Sequence, residues 1–149
     1  MLEIIKKHKI PYVLMHMKGT PKTMQRNPNY TNLINDIIRF LSKKVNQLKE
    51  YGINDIIIDP GFGFGKTISD NYKLLKNLES LKVLNLPILT GLSRKSMIYK
   101  VLKTRNLNSI NGTTALNMLA LSKGVKILRV HDVKQAMECI KLNQEINKN

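Results

Sequence analysis

Cysteine occurs once in the 149 residues, as Cys139, which excludes a disulfide framework and a thiolate metal cluster. Cys139 stands beside Ile140 in a helical pattern and reads as a small buried or half-buried thiol, not a nucleophile. No apolar run approaches the roughly twenty residues that cross a bilayer. The opening segment from Met1 to Lys9 is too basic, and its apolar stretch too short, for a secretory signal. The expectation is a soluble, cytoplasmic protein. Acidic residues are scarce, 10 against 25 lysines and arginines, giving a formal net charge of +15. Such a balance can mark a nucleic-acid or membrane partner. Here the lysines are scattered without a long like-charge block, and aromatic residues make up only 5%. Neither partner is expected, and the milder implication is a surface that attracts anionic ligands. No His, Cys and Asp set has metal-ligand spacing, and Ser93 lacks the context of a nucleophile elbow. No weakly polar linker divides the chain, so one domain is expected over residues 1–149.

What is present is a regular alternation. Hydrophobic residues make up 42%, as in globular proteins. Four short apolar runs read as strands: Tyr12 to Met15, Ile56 to Ile58, Pro87 to Thr90 and Lys126 to Val130. They scarcely alternate with polar residues, the pattern of strands covered on both faces in a parallel sheet. Four amphipathic stretches separate and follow them. Leu33, Ile34, Ile37, Ile38, Leu41, Val45 and Leu48 form the first, with Gly52 as its stop. Tyr72, Leu74, Leu75, Leu78 and Leu81 form the second, and Ala115 to Leu121 the third, closed by Gly124. The fourth runs from Val133 through Leu142 into a polar end. Four βα units in succession fit either an open Rossmann-like sheet or part of a (β/α)₈ barrel.

Each strand ends in a polar or glycine-rich cluster. The clusters are Met15-His16-Met17-Lys18-Gly19, Asp59 to Lys66, Gly91 to Ser96, and Arg129-Val130-His131-Asp132. Parallel α/β folds build their sites at the carboxyl ends of strands, so the four clusters are expected to converge on one mouth. Gly65-Lys66-Thr67 imitates a nucleotide-binding loop, but Pro60 stands where that motif needs a glycine. The dinucleotide fingerprint fails in turn, because Lys66 holds the place of its third glycine.

Asp59, at the tip of an apolar strand, is partly desolvated and needs donors. Two readings fit it equally: a two-pronged bond to a ligand with adjacent N–H groups, or a cap on its own glycine loop. Lys95 can donate to ring acceptors. Arg129 can stack on a flat heterocycle and pair with an oxyanion, and His131, two residues on, can donate to a phosphate. His8 reads as solvated surface, and His16 as a histidine that satisfies a backbone group.

These segments resemble dihydropteroate synthase. The match runs in order through Met15-His16-Met17, Gly19-Thr20-Pro21, Met24-Gln25, Asp59 to Thr67, Asn71, Leu74-Leu75, Gly91 to Ser96, Gly112 to Ala115 and Arg129 to Val133, covering nearly the whole chain. The resemblance implies an α/β fold forming the C-terminal half of a (β/α)₈ TIM barrel, strands five to eight, as four parallel βα units. It implies condensation of 6-hydroxymethyl-7,8-dihydropterin diphosphate with p-aminobenzoate, assisted by Mg²⁺ whose main ligand belongs to the absent N-terminal half. By position, Asp59 would bind the pterin's pyrimidine edge, and Met15 and Phe64 would line its pocket. Gly91 would let the ring approach, while Lys95 would donate to pterin acceptors. Arg129 would cover the ring and bind the diphosphate with His131, and Ser93 would lie near the p-aminobenzoate carboxylate. Lys95, Arg129 and His131 are the expected catalytic residues. A complementary N-terminal half and a homodimer are the implied protein partners. A non-catalytic pterin-binding module, an inactive remnant and a pterin-dependent methyltransferase domain are the competing readings.

Overall fold

Branched aliphatic side chains set the first strand pair. The computed structural model describes residues 1–20, 24 and 28–148. A short helix absent from the sequence reading, α1 (Leu2–His8), leads into β1 (Tyr12–Met15). β1 lies parallel to β2 (Ile56–Asp59), with Tyr12 opposite Ile56 and Met15 opposite Asp59. A second parallel pair joins β3 (Leu89–Thr90) to β4 (Ile127–Leu128). An Ile58–Ile88 bridge, with the Ile58 N–H donating to the Pro87 carbonyl at 2.9 Å, connects the two pairs. The four strands therefore lie side by side in chain order.

β3 and β4 are shorter than the apolar runs that foretell them. Pro87 has no N–H to give to a ladder. Beyond Leu128 the ladder continues by a bond from the Arg129 N–H to the Thr90 carbonyl, 2.9 Å.

Strand pleating sorts the side chains by register. Leu14, Ile56, Ile58 and Ile88 share one face and are buried. Val13, Met15, Ile57, Asp59 and Leu89 share the other, where Val13 is 41% exposed. Gly91 and Arg129 continue that second face past the strand ends. The second face thus carries Met15, Asp59, Gly91 and Arg129 at its carboxyl edge, where the candidate chemistry lies.

The crossovers follow the amphipathic pattern. In α2 (Leu33–Glu50) the buried positions are Leu33, Ile37, Leu41, Val45 and Leu48, and Asn32 caps the start by accepting from the Asn35 N–H at 3.2 Å. The second stretch is not one helix. α3 (Ile68–Lys76) stops before Asn77, and a 3₁₀ turn over Leu78–Leu84 follows, burying Leu78 and Leu81. The Asn77 amide donates to the Lys73 carbonyl at 2.8 Å, the local competition that breaks helices at asparagine. The three-residue spacing of Leu78 and Leu81 suits the tighter turn.

After β3 come α4 (Ser96–Tyr99), a 3₁₀ turn at Asn106–Asn108 and α5 (Ile110–Ser122). A Cβ on Gly112 would stand 2.5 Å from Ile98 Cγ2, so this glycine lets α5 approach α4 closely. The last helix, α6 (Val133–Ile146), extends past Leu142 into the polar end. Pro21 and Gln25, two residues of the family-like motifs, lie outside the described residues.

Candidate functional site

The site begins with a carboxylate that the fold buries and then pairs. Asp59 closes β2 with no exposed surface. Its Oδ1 accepts the Gly61 N–H at 2.8 Å, and its Oδ2 accepts from Arg129 at 3.0 Å. The loop-capping reading of Asp59 is therefore realised on one oxygen, and a planar donor meets the other.

The glycine loop passes directly over the end of β1. Gly61 has φ +72° and a Cβ there would stand 1.9 Å from the His16 carbonyl oxygen, so only glycine fits. Asn71 in α3 accepts the Gly63 N–H at 2.7 Å. The loop ends in a capping box, where Thr67 Oγ1 accepts the Asp70 N–H and Asp70 accepts the Thr67 N–H.

Cations converge from the next two strand ends. Lys95 donates to the Phe62 carbonyl, and its ammonium lies 4.6 Å from the centre of the Phe64 ring. Burial holds its pKa down at about 8, opposed by Asp59 and reinforced by Arg129. The Arg129 side chain is half exposed and lies against Gly91, where a Cβ would stand 2.8 Å from a guanidinium nitrogen. Ser93 Oγ stands 2.9 Å from His131 Nδ1 and accepts the His131 N–H at 3.3 Å. A cavity of about 160 Å³ is lined by Gly91, Ser93, Lys95, Arg129, Val130 and His131. Larger concavities at Ile53–Asp55 and Gly124–Lys126 precede β2 and β4, at the amino ends of the strands.

The structure thus gathers Gly91, Ser93, Lys95, Arg129 and His131 in one hollow. Asp59 joins it through Arg129, and Phe64 through Lys95. Met15 faces Asp59 in register and packs toward Gly61 without joining the polar network.

Sequence reasoning misses three features. Arg94, at φ +55°, forks onto Asp132 at 3.1 and 2.5 Å and donates its N–H to Thr113 Oγ1 at 3.1 Å. That fork holds the Asp132 carboxyl below its ordinary range and ties the loop after β3 to the start of α6. Next, Lys66 turns inward instead of out to solvent. Finally, beside the backbone hydrogen bond expected for it, the His16 ring meets the Lys66 ammonium, at 2.9 Å from Nδ1. A Lys-Thr pair after a glycine run was the available signal for Lys66, but it reads first as a failed nucleotide loop.

A family model described as "Pterin binding enzyme" matches residues 1–131. The chain belongs to that family. It is 45% identical over 145 residues to the dihydropteroate synthase of Haemophilus influenzae, covering 96% of this chain and 53% of that one. The crystal structure of the Yersinia pestis dihydropteroate synthase with a sulfonamide drug overlays with a TM-score of 0.96 at 40% identity, over 99% of this chain and 54% of that one. The Thermus thermophilus enzyme in complex with 6HMPPP overlays at 0.93 with 31% identity, over 98% of this chain and 59% of that one. Its complex with 4-aminobenzoate overlays at 0.92 with 31% identity, over 98% and 60%. The chain spans about half the length of the relatives it matches. With these enzymes the chain shares an α/β fold with parallel strands.

Proposed function

We propose that this chain forms the C-terminal half of a (β/α)₈ dihydropteroate synthase barrel and supplies the pterin-diphosphate side of its site. The observation that carries the reading is the convergence of one buried carboxylate, Asp59, with Lys95, Arg129 and His131 at the ends of three adjacent strands. In the reaction the arylamine nitrogen of p-aminobenzoate bonds to the pterin's exocyclic methylene carbon. The carbon–oxygen bond to the diphosphate breaks, pyrophosphate leaves, and the amine gives up a proton.

Asp59 accepts the N–H groups of the pyrimidine edge, exchanging Arg129 for the ligand. Lys95 donates to the ring acceptors, with Met15 and Phe64 as apolar walls and Gly91 as the open floor. Arg129 and His131 stabilise the negative charge that grows on the departing diphosphate. Ser93, bonded to His131, stands nearest the path of the p-aminobenzoate carboxylate. The shared hollow aligns amine and carbon. The Mg²⁺ implied by the family finds no ligand set here: no three His, Cys, Asp or Glu gather among the described residues.

Calorimetry on the chain with a pterin and with its diphosphate tests the reading. Asp59→Ala should weaken both ligands about 10- to 100-fold, the worth of hydrogen bonds to a charged group. Arg129→Ala should weaken the diphosphate far more than the bare pterin. Equal loss of both ligands in Arg129→Ala, or no loss in Asp59→Ala, would overturn the assignment.

A further inference from the structure

The proposed chemistry leaves Lys66 without a task, yet the fold buries it to 3% exposure. Its Nζ stands 2.9 Å from the Gly61 carbonyl, 3.2 Å from the Phe64 carbonyl and 2.9 Å from His16 Nδ1. His16 is itself 4% exposed, with Phe40 edge-on to its ring at 5.0 Å between centroids.

Hydrogen counting links the two side chains. An ammonium has three N–H donors and no acceptor. Two go to carbonyls, which only accept, so the third requires a lone pair on Nδ1 and leaves the imidazole proton on Nε2. A neutral amine has two N–H groups for the two carbonyls, and its lone pair then faces Nδ1. That arrangement is satisfied when Nδ1 carries the proton.

We propose that Lys66 is a positioning residue that ties the glycine loop to the end of β1 through His16, and that its ionisation selects the tautomer of that histidine. The tie sets the Gly61 N–H that Asp59 accepts and the Phe64 ring beneath Lys95. The charges around the pair are Asp59 from β2, Asp70 from α3 and Lys95 from the loop before α4, which act on Lys66. Lys18 after β1 and Asp36 from α2 act on His16. Burial, with Lys66 beside it, holds His16 down at about 3, so the imidazole stays neutral through the neutral range. Burial also brings Lys66 down to about 7, opposed by Asp59 and aided by Lys95.

The test is two-bond ¹H–¹⁵N spectroscopy on the chain labelled at histidine, with His16 assigned from His16→Gln. The expected result is an Nε2–H tautomer in mild acid that passes to Nδ1–H with a midpoint near 7. Lys66→Arg, whose guanidinium stays charged, should hold the Nε2–H form throughout, and Lys66→Met should abolish the switch. One unchanged tautomer in the wild type, or the same switch in Lys66→Met, overturns the inference.

The positioning claim rests on the synthase reading and is tested by pterin affinity over the same pH range. Wild type should change several-fold across the midpoint near 7, and Lys66→Arg should keep only the later change set by Lys95, held at about 8. A tautomer switch in wild type with the same affinity profile as Lys66→Arg refutes positioning. A switch in a chain that binds no pterin refutes the synthase reading and leaves the Lys66–His16 coupling standing.

Discussion

Burying a lysine without a carboxylate in contact leaves a mark on stability. Lys66 falls from an ordinary 10.5 to about 7 on folding. Between those values the unfolded chain holds a proton that the folded chain does not, so stability rises with pH across that window and levels off below it. Urea titrations from pH 7 to 10 should show that rise, worth on the order of a few kcal/mol. Lys66→Met should reduce the slope, leaving the smaller contribution of Lys95, which is held at about 8. A slope unchanged by the substitution would mean that the lysine is hydrated in solution. Gly61→Ala acts on the same loop. It should cost more than the ~1–2 kcal/mol of a left-handed residue alone, because the added carbon would also collide with the His16 carbonyl. Thermal melts would measure it. Asp59 was legible in the sequence because a carboxylate at the tip of an aliphatic strand demands donors. Lys66 was not, because a lysine's inward turn depends on which carbonyls the loop happens to offer.

Elements were legible wherever one physical signal spoke alone. The stripe of α2 and the glycine stop after it, Gly52 at φ +93°, follow from spacing and backbone freedom. The break at Asn77 was hidden, since Leu74, Leu75, Leu78 and Leu81 fit a continuous helix as well as a helix with a 3₁₀ turn. The fork between Arg94 and Asp132 was hidden too, because it joins residues far apart in sequence. Thr67→Ala removes the acceptor for the Asp70 N–H and should cost about 1 kcal/mol. Because the cap anchors the glycine loop, hydrogen exchange at Gly63 should quicken more than exchange in the middle of α3. Equal change at both would make the cap a matter of helix stability only.

For the whole molecule, strand order was legible, and so was the expectation that four strands alone leave two edges open. Four aliphatic runs each ending in a functional cluster predict parallel strands with one active edge, and the strands do run parallel in chain order. Among the described residues β1 pairs only with β2, and β4 only with β3. Two outer edges and a face carrying exposed Val13 are therefore available to another chain. In the half-barrel reading, the 149-residue chain should associate with itself or with a complementary half, and show no synthase turnover alone. Gel filtration with light scattering, followed by an activity assay, measures both. A compact monomer that turns over would sink that reading.

The ion pair between Arg129 and Asp59 carries a consequence for time as well as for affinity. A ligand that claims the carboxylate arrives at a door already shut by a half-exposed side chain. Entry then waits on the arginine swinging aside, and the observed association rate should climb with ligand concentration and reach a plateau. Stopped-flow traces on Arg129→Ala should lose that plateau, with the rate rising in proportion to concentration.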